Sequence, residues 1–160
     1  MRVLPTDPDL SVVVNCDGAA RGNPGPAGIG VVLASEDGQL HDELAEGIGP
    51  ATNNVAEYRA AIAGLRMAAE HGAKRVLLRS DSRLLIEQLA GRFKVKNPTL
   101  QRLHEEARRL TKRFDEVSFE HVPREENAEA DRLANEGVDA WLASYGPYEP
   151  PPPAPPLFED

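Results

Sequence analysis

Hydrophobic positions in the first third of the chain predict three strands. Residues 11–17 form a short, nearly continuous apolar run, which is typical of a central strand covered on both faces. Residues 28–34 and 40–47 predict two further strands, which a turn at residues 37–38 joins. The segment 22–26 (GNPGP) is dense in turn-forming residues, so the three strands together predict an antiparallel meander.

Helical and extended segments alternate in the rest of the chain. An apolar stripe at helical spacing predicts a helix that ends at Gly72, and its members are Tyr58, Ala61, Ile62, Leu65, Ala68 and Ala69. The pattern then predicts a strand at 75–81, a short helix at 82–90, one or two helices at 98–113, a strand at 117–122 and a last helix at 127–143. This order implies an α/β layered fold with a mixed sheet.

The chain divides into one domain and two flanking segments. We expect residues 1–10 to be a flexible N-terminus and residues 11–145 to form the domain. Seven of the fifteen residues from 146 to 160 are proline, which predicts a disordered or polyproline-like tail. Near its end, Leu157 and Phe158 are followed by two acids, a pattern compatible with weak docking to another protein.

Composition places the chain among ordinary globular proteins. Its 160 residues are 41% hydrophobic and 28% charged, which is enough to bury a core in one domain. No apolar run approaches the roughly 18–20 residues that span a bilayer, and the first ten residues lack the pattern of a signal peptide. One cysteine, Cys16, suits a reducing compartment. We therefore expect a cytoplasmic monomer with no membrane partner.

Charge is distributed unevenly along the chain. The net charge is −8, yet residues 92–113 hold eight cations and two acids, a local charge of +6. A solvated helix face is one interpretation of this run. A basic patch that orients a polyanion is the other, because phosphate backbones attract local positive charge even on an acidic protein.

Four acids, Asp17, Glu57, Asp81 and Asp131, lie where predicted elements begin or end. Each also has a structural explanation. Asp17 could start the loop after its strand, Asp81 could cap the next helix, and Glu57 could belong to an Asn-x-x-Glu cap with Asn54. Asp131 lies in the first turns of the last helix, where the helix dipole favours an acid. Together they favour a site, because ligands of open α/β sheets bind beyond the carboxyl ends of the strands.

The composition of this acidic site points to phosphoryl chemistry. Clustered carboxylates repel one another at neutral pH unless cations lie among them. An oxygen-only ligand set selects hard ions, with magnesium or manganese favoured where phosphate binds. Two such ions about 4 Å apart activate water and stabilise the leaving oxygen in phosphodiester hydrolysis.

Four motifs in order resemble those of the type 1 ribonucleases H. They are DGAARGNPGPAGIG at 17–30, TNNVAEY at 52–58, SDS at 80–82 and HVPREENAEADRLA at 121–134. The first is highly specific, and the resemblance covers about residues 11–143. It implies a ribonuclease H-like fold with a five-stranded mixed sheet and helices on both faces, and cleavage of the RNA strand of an RNA–DNA hybrid.

The resemblance also implies roles for the acids and for one histidine. Asp17 would bridge two magnesium ions, for which manganese could substitute; Glu57 and Asp81 would complete one ion site and Asp131 the other. His121, ten residues before Asp131, would assist proton movement or product departure. Two alternatives remain open for that role: a packed His121 on one strand face, and a contribution from the neighbouring acids Glu125 and Glu126.

Substrate contacts carry over by position in the same way. The RNA side would be lined by Gly18, Asn23, Asn53 and Asn54, and asparagine suits the 2′-hydroxyl because its amide both donates and accepts. Turn formation and helix capping are the structural alternative for these residues. A DNA-strand phosphate would lie at Thr52 and Asn97, and Lys94 and Lys96 would add to the grip on the hybrid.

Two departures from the family pattern affect the DNA side. Pro50 stands where many relatives carry an arginine, and the segment 91–98 is too short for the basic protrusion of some bacterial members. Three other functions remain open: a hybrid-binding module that does not cut, another nuclease of the superfamily that acts on DNA, and a protein-docking domain. The required number of ribonucleotides and the preferred metal also remain open.

Overall fold

A computed structural model describes residues 9–152 of the chain. The predicted N-terminal segment lies almost entirely outside the described residues, as does the predicted docking motif at Leu157 and Phe158. Residues 146–152 contain no helix or strand. Among the helices of the described part, none is both long and apolar enough to cross a membrane.

Five strands form one mixed sheet, which confirms the predicted architecture. They are β1 (Ser11–Ala20), β2 (Gly25–Ser35), β3 (His41–Ala51), β4 (Arg75–Ser80) and β5 (Glu116–His121), in the spatial order β3-β2-β1-β4-β5. The first three strands pair antiparallel as a meander, while β4 pairs parallel with both β1 and β5. The central strand is therefore β1, which lies between an antiparallel and a parallel neighbour.

The prediction that Asp17 ends the first strand is wrong. Asp17 pairs with Gly30, and β1 continues to Ala20. The ladder continues because backbone hydrogen bonds to β2 do not require apolar side chains, so the hydrophobic pattern stopped three residues short. In the same way, β2 and β3 extend beyond the predicted segments to Gly25 and Ala51.

Four helices cover the two faces of the sheet. They are α1 (Asn53–Glu70), α2 (Arg83–Leu89), α3 (Pro98–Thr111) and α4 (Ala128–Tyr145), and a 3₁₀ turn (Arg124–Asn127) precedes α4. The segment predicted as one or two helices is the single helix α3. On one face, a side chain at Gly64 of α1 would meet Val14 and Val31. The buried apolar side chains of β1 and β2, such as Val12 and Leu33, pack with α1 in this core.

On the other face of the sheet, the packing of α4 depends on two glycines of β2. A side chain at Gly30 would overlap the carbonyl oxygen of Ala130, and one at Gly28 would overlap that of Ala134. Helix α4 therefore lies directly against the backbone of β2. Because α4 packs this closely, its first turns lie beside the part of β1 that carries Asp17, which pairs with Gly30.

Candidate active site

Three carboxylates meet at the carboxyl end of the parallel strands. Asp17 comes from β1, Glu57 from α1 and Asp81 from the residue after β4, and oxygens of the three lie within 4.8 Å of one another. The parallel register of β1 and β4 brings Asp17 and Asp81 together. Asn15 pairs with Arg79, and each aspartate follows two residues later in its own segment. We predicted both the residues and their meeting.

Asp131 approaches the same group from α4. Its side chain lies within hydrogen-bonding reach of Asp17, and the four acids line one cleft of about 370 Å³. On its own helix, Asn135 donates its side-chain amide to the Asp131 carbonyl oxygen at 3.0 Å. The cleft therefore joins four carboxylates from four separate elements.

Burial and mutual repulsion raise the pKa of two of these acids. Asp17 is only 5% exposed, and burial is the main cause of its raised pKa, followed by the charges of Glu57 and Asp81. Burial also raises the pKa of Glu57, and the Asp81 charge adds to the effect. Removing carboxylates from water while placing them beside other negative charges costs free energy unless cations compensate.

One oxygen in the cleft lacks a protein partner. Oε2 of Glu57 is buried and accepts no hydrogen bond from the described residues. A buried acceptor of this kind normally has a partner, and here it lies in an all-oxygen cluster. Hard divalent ions such as magnesium or manganese prefer such donors, so the residues present fit this class of ion.

The structural explanations for two of the acids do not hold. Helix α1 is capped by Thr52, whose Oγ1 accepts from the Val55 amide at 3.2 Å, so Asn54 and Glu57 form no cap. Ser82, rather than Asp81, caps α2, with its Oγ accepting from the Leu85 amide at 3.2 Å. The capping roles proposed for Glu57 and Asp81 are therefore wrong, and their carboxylates face the cleft instead.

Asn127 is a member of the site that the sequence did not reveal. It is 1% exposed; its Nδ2 donates to the Cys16 carbonyl oxygen at 2.9 Å and lies 3.4 Å from Oδ1 of Asp81. Nδ2 of Asn15 donates to Oδ1 of Asn127 at 3.1 Å. Asn127 thus connects the strand that carries Asp17 with the carboxylate of Asp81. The only hint in the sequence was Asn15 itself, because a polar residue within an apolar strand indicates a buried polar partner.

Two further residues line the cleft without having been predicted. They are Arg124 in the 3₁₀ turn and Asn135 in α4. Arg124 brings a cation to an otherwise acidic cleft. It lies in the fourth motif, but no spacing rule distinguishes it from its exposed acidic neighbours Glu125 and Glu126.

Two of the four predicted RNA-side residues line the cleft. Gly18 and Asn53 line it, and a side chain at Gly18 would overlap the backbone of Ala56. Oδ1 of Asn23 accepts from the backbone amide of Asn53 at 3.0 Å. Asn54 is exposed at the start of α1 and does not line the cleft.

The remaining predicted residues lie outside the cleft. Thr52 and Asn97 are N-caps of α1 and α3, and Lys94 and Lys96 lie in the segment between α2 and α3. Gln88 connects that segment to α1, because its Nε2 donates to the Lys94 carbonyl oxygen and its Oε1 accepts from the hydroxyl of Tyr58, the residue after Glu57 in sequence.

His121 is the last residue of β5 and lies beside the cleft. Its Nε2 donates to the Asp81 carbonyl oxygen at 3.2 Å, and its side chain is exposed rather than packed. The position borders the carboxylates, and the alternative of a buried, packed histidine is wrong. Whether His121 moves protons stays a prediction.

Known proteins match most of the chain. A family described as reverse transcriptase-like matches residues 15–137. The bifunctional protein Rv2228c of Mycobacterium tuberculosis is 48% identical over 136 residues, which are 84% of this chain and 37% of that protein. Ribonuclease HI of Halobacterium salinarum is 50% identical over 123 residues, which are 77% of this chain and 62% of that protein. The matched region is therefore less than two thirds of either relative.

Solved structures match the same region. The N-terminal RNase H domain of Rv2228c superposes with a TM-score of 0.78 at 48% identity, covering 81% of this chain and 99% of that one. RNase H1 of Halobacterium salinarum gives 0.79 at 48% identity, with 81% and 98% covered. LC11-RNase H1, solved with an RNA/DNA hybrid, gives 0.75 at 40% identity, with 82% and 99% covered. The four motifs, the shared fold and these similarities show that the chain belongs to the type 1 ribonuclease H family.

Proposed function

We propose that the protein is an endoribonuclease that hydrolyses the RNA strand of RNA–DNA hybrids with two divalent metal ions. The observation that carries this proposal is the cleft of four carboxylates, in which a buried oxygen of Glu57 has no hydrogen-bond partner among residues 9–152. Relatives named ribonuclease HI, and a relative solved with an RNA/DNA hybrid, support the substrate class.

The four acids divide into two ligand groups. Asp17 would contribute to both ion sites because its carboxylate interacts with each of the other three acids, while Glu57 and Asp81 would complete one site and Asp131 the other. Magnesium, or manganese in its place, would supply an activated water and neutralise charge on the leaving oxygen. Asn127 would keep the Asp81 carboxylate oriented, since its amide lies against both that group and the β1 backbone.

Residues around the ion sites would bind and orient the hybrid. Asn23 and Asn53, with the backbone at Gly18, would contact ribose hydroxyls on the RNA strand. Thr52 and Asn97 would approach a phosphate of the DNA strand. His121, exposed at the edge of the cleft beside Asp81, would pass a proton to or from the leaving strand.

The test is a cleavage assay on three labelled duplexes: an RNA–DNA hybrid, double-stranded RNA and double-stranded DNA. We expect cleavage of the hybrid alone, with magnesium or manganese and not with EDTA. Asp17→Asn should lower the rate by more than a hundredfold, a barrier increase of about 2.7 kcal/mol, while hybrid binding persists. The matched control is Glu136→Gln, because this exposed acid of α4 lies outside the cleft and pairs with Arg132.

Each alternative function has its own outcome in this assay. Tight binding of the hybrid without cleavage in either metal would support a hybrid-binding module. Cleavage of the DNA duplex would support another nuclease of the superfamily. Full activity of the wild-type protein in excess EDTA would contradict the metal mechanism.

A further inference from the structure

Helix α3 presents a row of cations to solvent. Its buried positions, Leu100, Ala107 and Leu110, face the core. The opposite side and the residues just after the helix carry five exposed cations, which we call the α3 basic face: Arg102, Arg108, Arg109, Lys112 and Arg113. One exposed acid of the helix, Glu105, lies on the same side. The other acid of the helix, Glu106, pairs with Arg66 of α1.

These cations lack the ion pairs that five of the nine other arginines of residues 9–152 form. Elsewhere in the described chain, five arginines pair with carboxylates: Arg21, Arg66, Arg79, Arg92 and Arg132. No member of the α3 basic face forms an ion pair with a described residue, although the chain has 26 acids for 18 lysines and arginines. Five unpaired cations with one acid among them repel one another, and a polyanion would relieve that repulsion.

The α3 basic face extends away from the cleft. The helix follows the segment that Gln88 connects to Tyr58, in the N-terminal part of α1 that also carries Glu57. It ends at the opposite end of the sheet, where the Asp115 amide donates to the Lys74 carbonyl oxygen just before β4 and β5 begin. Since β4 has six residues, Arg113 lies on the order of 20 Å from the carboxylates along the strand direction. The segment 92–113, predicted as one patch, is therefore two surfaces.

We propose that the α3 basic face binds backbone phosphates of duplex that flanks the hybrid held in the cleft. The inference rests on the proposed function and adds a second contact to it. Phosphates are common to DNA and RNA, so the flanking duplex can be either, and the contact is independent of sequence. Guanidinium groups suit this role because they bind phosphate oxygens through two parallel donors.

The test compares two ligands that share one cleavable segment. One is an RNA–DNA hybrid of about 10 base pairs. The other is the same hybrid extended at both ends by about 20 base pairs of plain DNA. Dissociation constants are measured in EDTA by fluorescence anisotropy over a range of salt concentrations. For the wild-type protein, the extension should tighten binding by about tenfold and steepen the salt dependence.

The variant replaces Arg108, Arg109 and Arg113 together with glutamine. It should lose the gain that the extension provides, and its salt slope on the long ligand should fall by about 0.9 per lost phosphate contact. Binding of the short hybrid and its cleavage in magnesium should remain within twofold of wild type. Arg132→Gln on α4 is the matched control and should keep the full gain, because that cation lies on the other side of the sheet and is already paired.

Two results would overturn the inference: no gain from the extension with wild-type protein, or an undiminished gain in the triple variant. An acidic protein partner would then become the explanation for the exposed cations. Failure of the proposed function is distinguishable, since in that case the wild-type protein would not cleave the short hybrid in magnesium. Circular dichroism confirms that the triple variant is folded before either comparison is made.

Discussion

The side chain of Asn23 is hydrogen-bonded to the backbone of Asn53. Oδ1 of Asn23 accepts from the backbone amide of Asn53 at 3.0 Å, and Oδ1 of Asn53 accepts from the backbone amide of Ala20 at 3.2 Å. Their side-chain amino groups have no hydrogen-bond partner among residues 9–152, which leaves donors that suit the oxygen of a ribose hydroxyl. Structural and recognition roles, which the sequence left as alternatives, are thus compatible in the same residues.

The first prediction concerns the number of ribonucleotides. Asn23 lies in the turn before β2 and Asn53 at the start of α1, so their free donors would contact hydroxyls on different nucleotides. Each missing hydroxyl would leave a donor poorly paired, at a cost of about 1–3 kcal/mol. We expect efficient cleavage of runs of several ribonucleotides and poor cleavage at a lone one. Initial rates on duplexes with different run lengths test this, and equal rates on one and four ribonucleotides would contradict it.

A second prediction follows from the raised pKa values of Asp17 and Glu57. A group whose pKa is higher in the folded state contributes stability that is lost as pH rises above its unfolded value, here about 4. In EDTA, the melting temperature should therefore fall from about pH 5 towards pH 8. Asp17→Asn should flatten this fall and melt above wild type at pH 8. Magnesium should restore wild-type stability but affect the variant less.

Thermal scans at both pH values, with EDTA or magnesium, measure this difference. Glu136→Gln is again the control, because that acid is exposed and far from the cluster. A variant that melts below wild type at pH 8 in EDTA would show that the cluster is not a source of repulsion.

The third prediction concerns Asn127. Asn127→Ala should destabilise the protein by about 1–3 kcal/mol, because it leaves the Asn15 amide and the Cys16 carbonyl without their partner. It should also raise the magnesium concentration needed for half-maximal activity and for half-maximal thermal stabilisation. Asn15→Ala serves as the comparison, since it removes one contact of Asn127 but none of Asp81. An unchanged metal requirement in Asn127→Ala would limit that residue to a role in stability.

His121 provides the fourth prediction. If this histidine moves a proton or aids product departure, His121→Ala should lower kcat by about a hundredfold and leave hybrid binding unchanged. Glu125→Gln and Glu126→Gln identify any shared role, because both acids are exposed in the neighbouring 3₁₀ turn. Single-turnover and steady-state rates separate chemistry from product release. A His121→Ala enzyme with wild-type kcat would remove the residue from the mechanism.

Sequence predicted the four carboxylates because specific motifs carry them and because parallel register brings strand ends together. It did not predict Asn127, whose partner Asn15 lies 112 positions earlier, since no local pattern reports a contact between distant residues. It also placed the end of β1 too early, because a strand can continue through the small residues Gly18, Ala19 and Ala20, which give no strand signal. The basic segment looked uniform for a similar reason: spacing along the chain does not show that α3 leads away from the cleft.

The geometry of the active site depends on the absence of a side chain at Gly30. It pairs with Asp17 across the sheet, and its lack of a side chain lets the backbone of Ala130, next to Asp131, approach. A single methyl group at this position would force α4 outward and separate the first carboxylate from the fourth, although it would touch neither nucleic acid nor metal. Such a variant would have the kinetic defect of a lost ligand while keeping all four acids. The distance between Asp17 and Asp131, and with it the spacing of the two proposed metal sites, therefore depends on how closely the backbones of β2 and α4 approach each other.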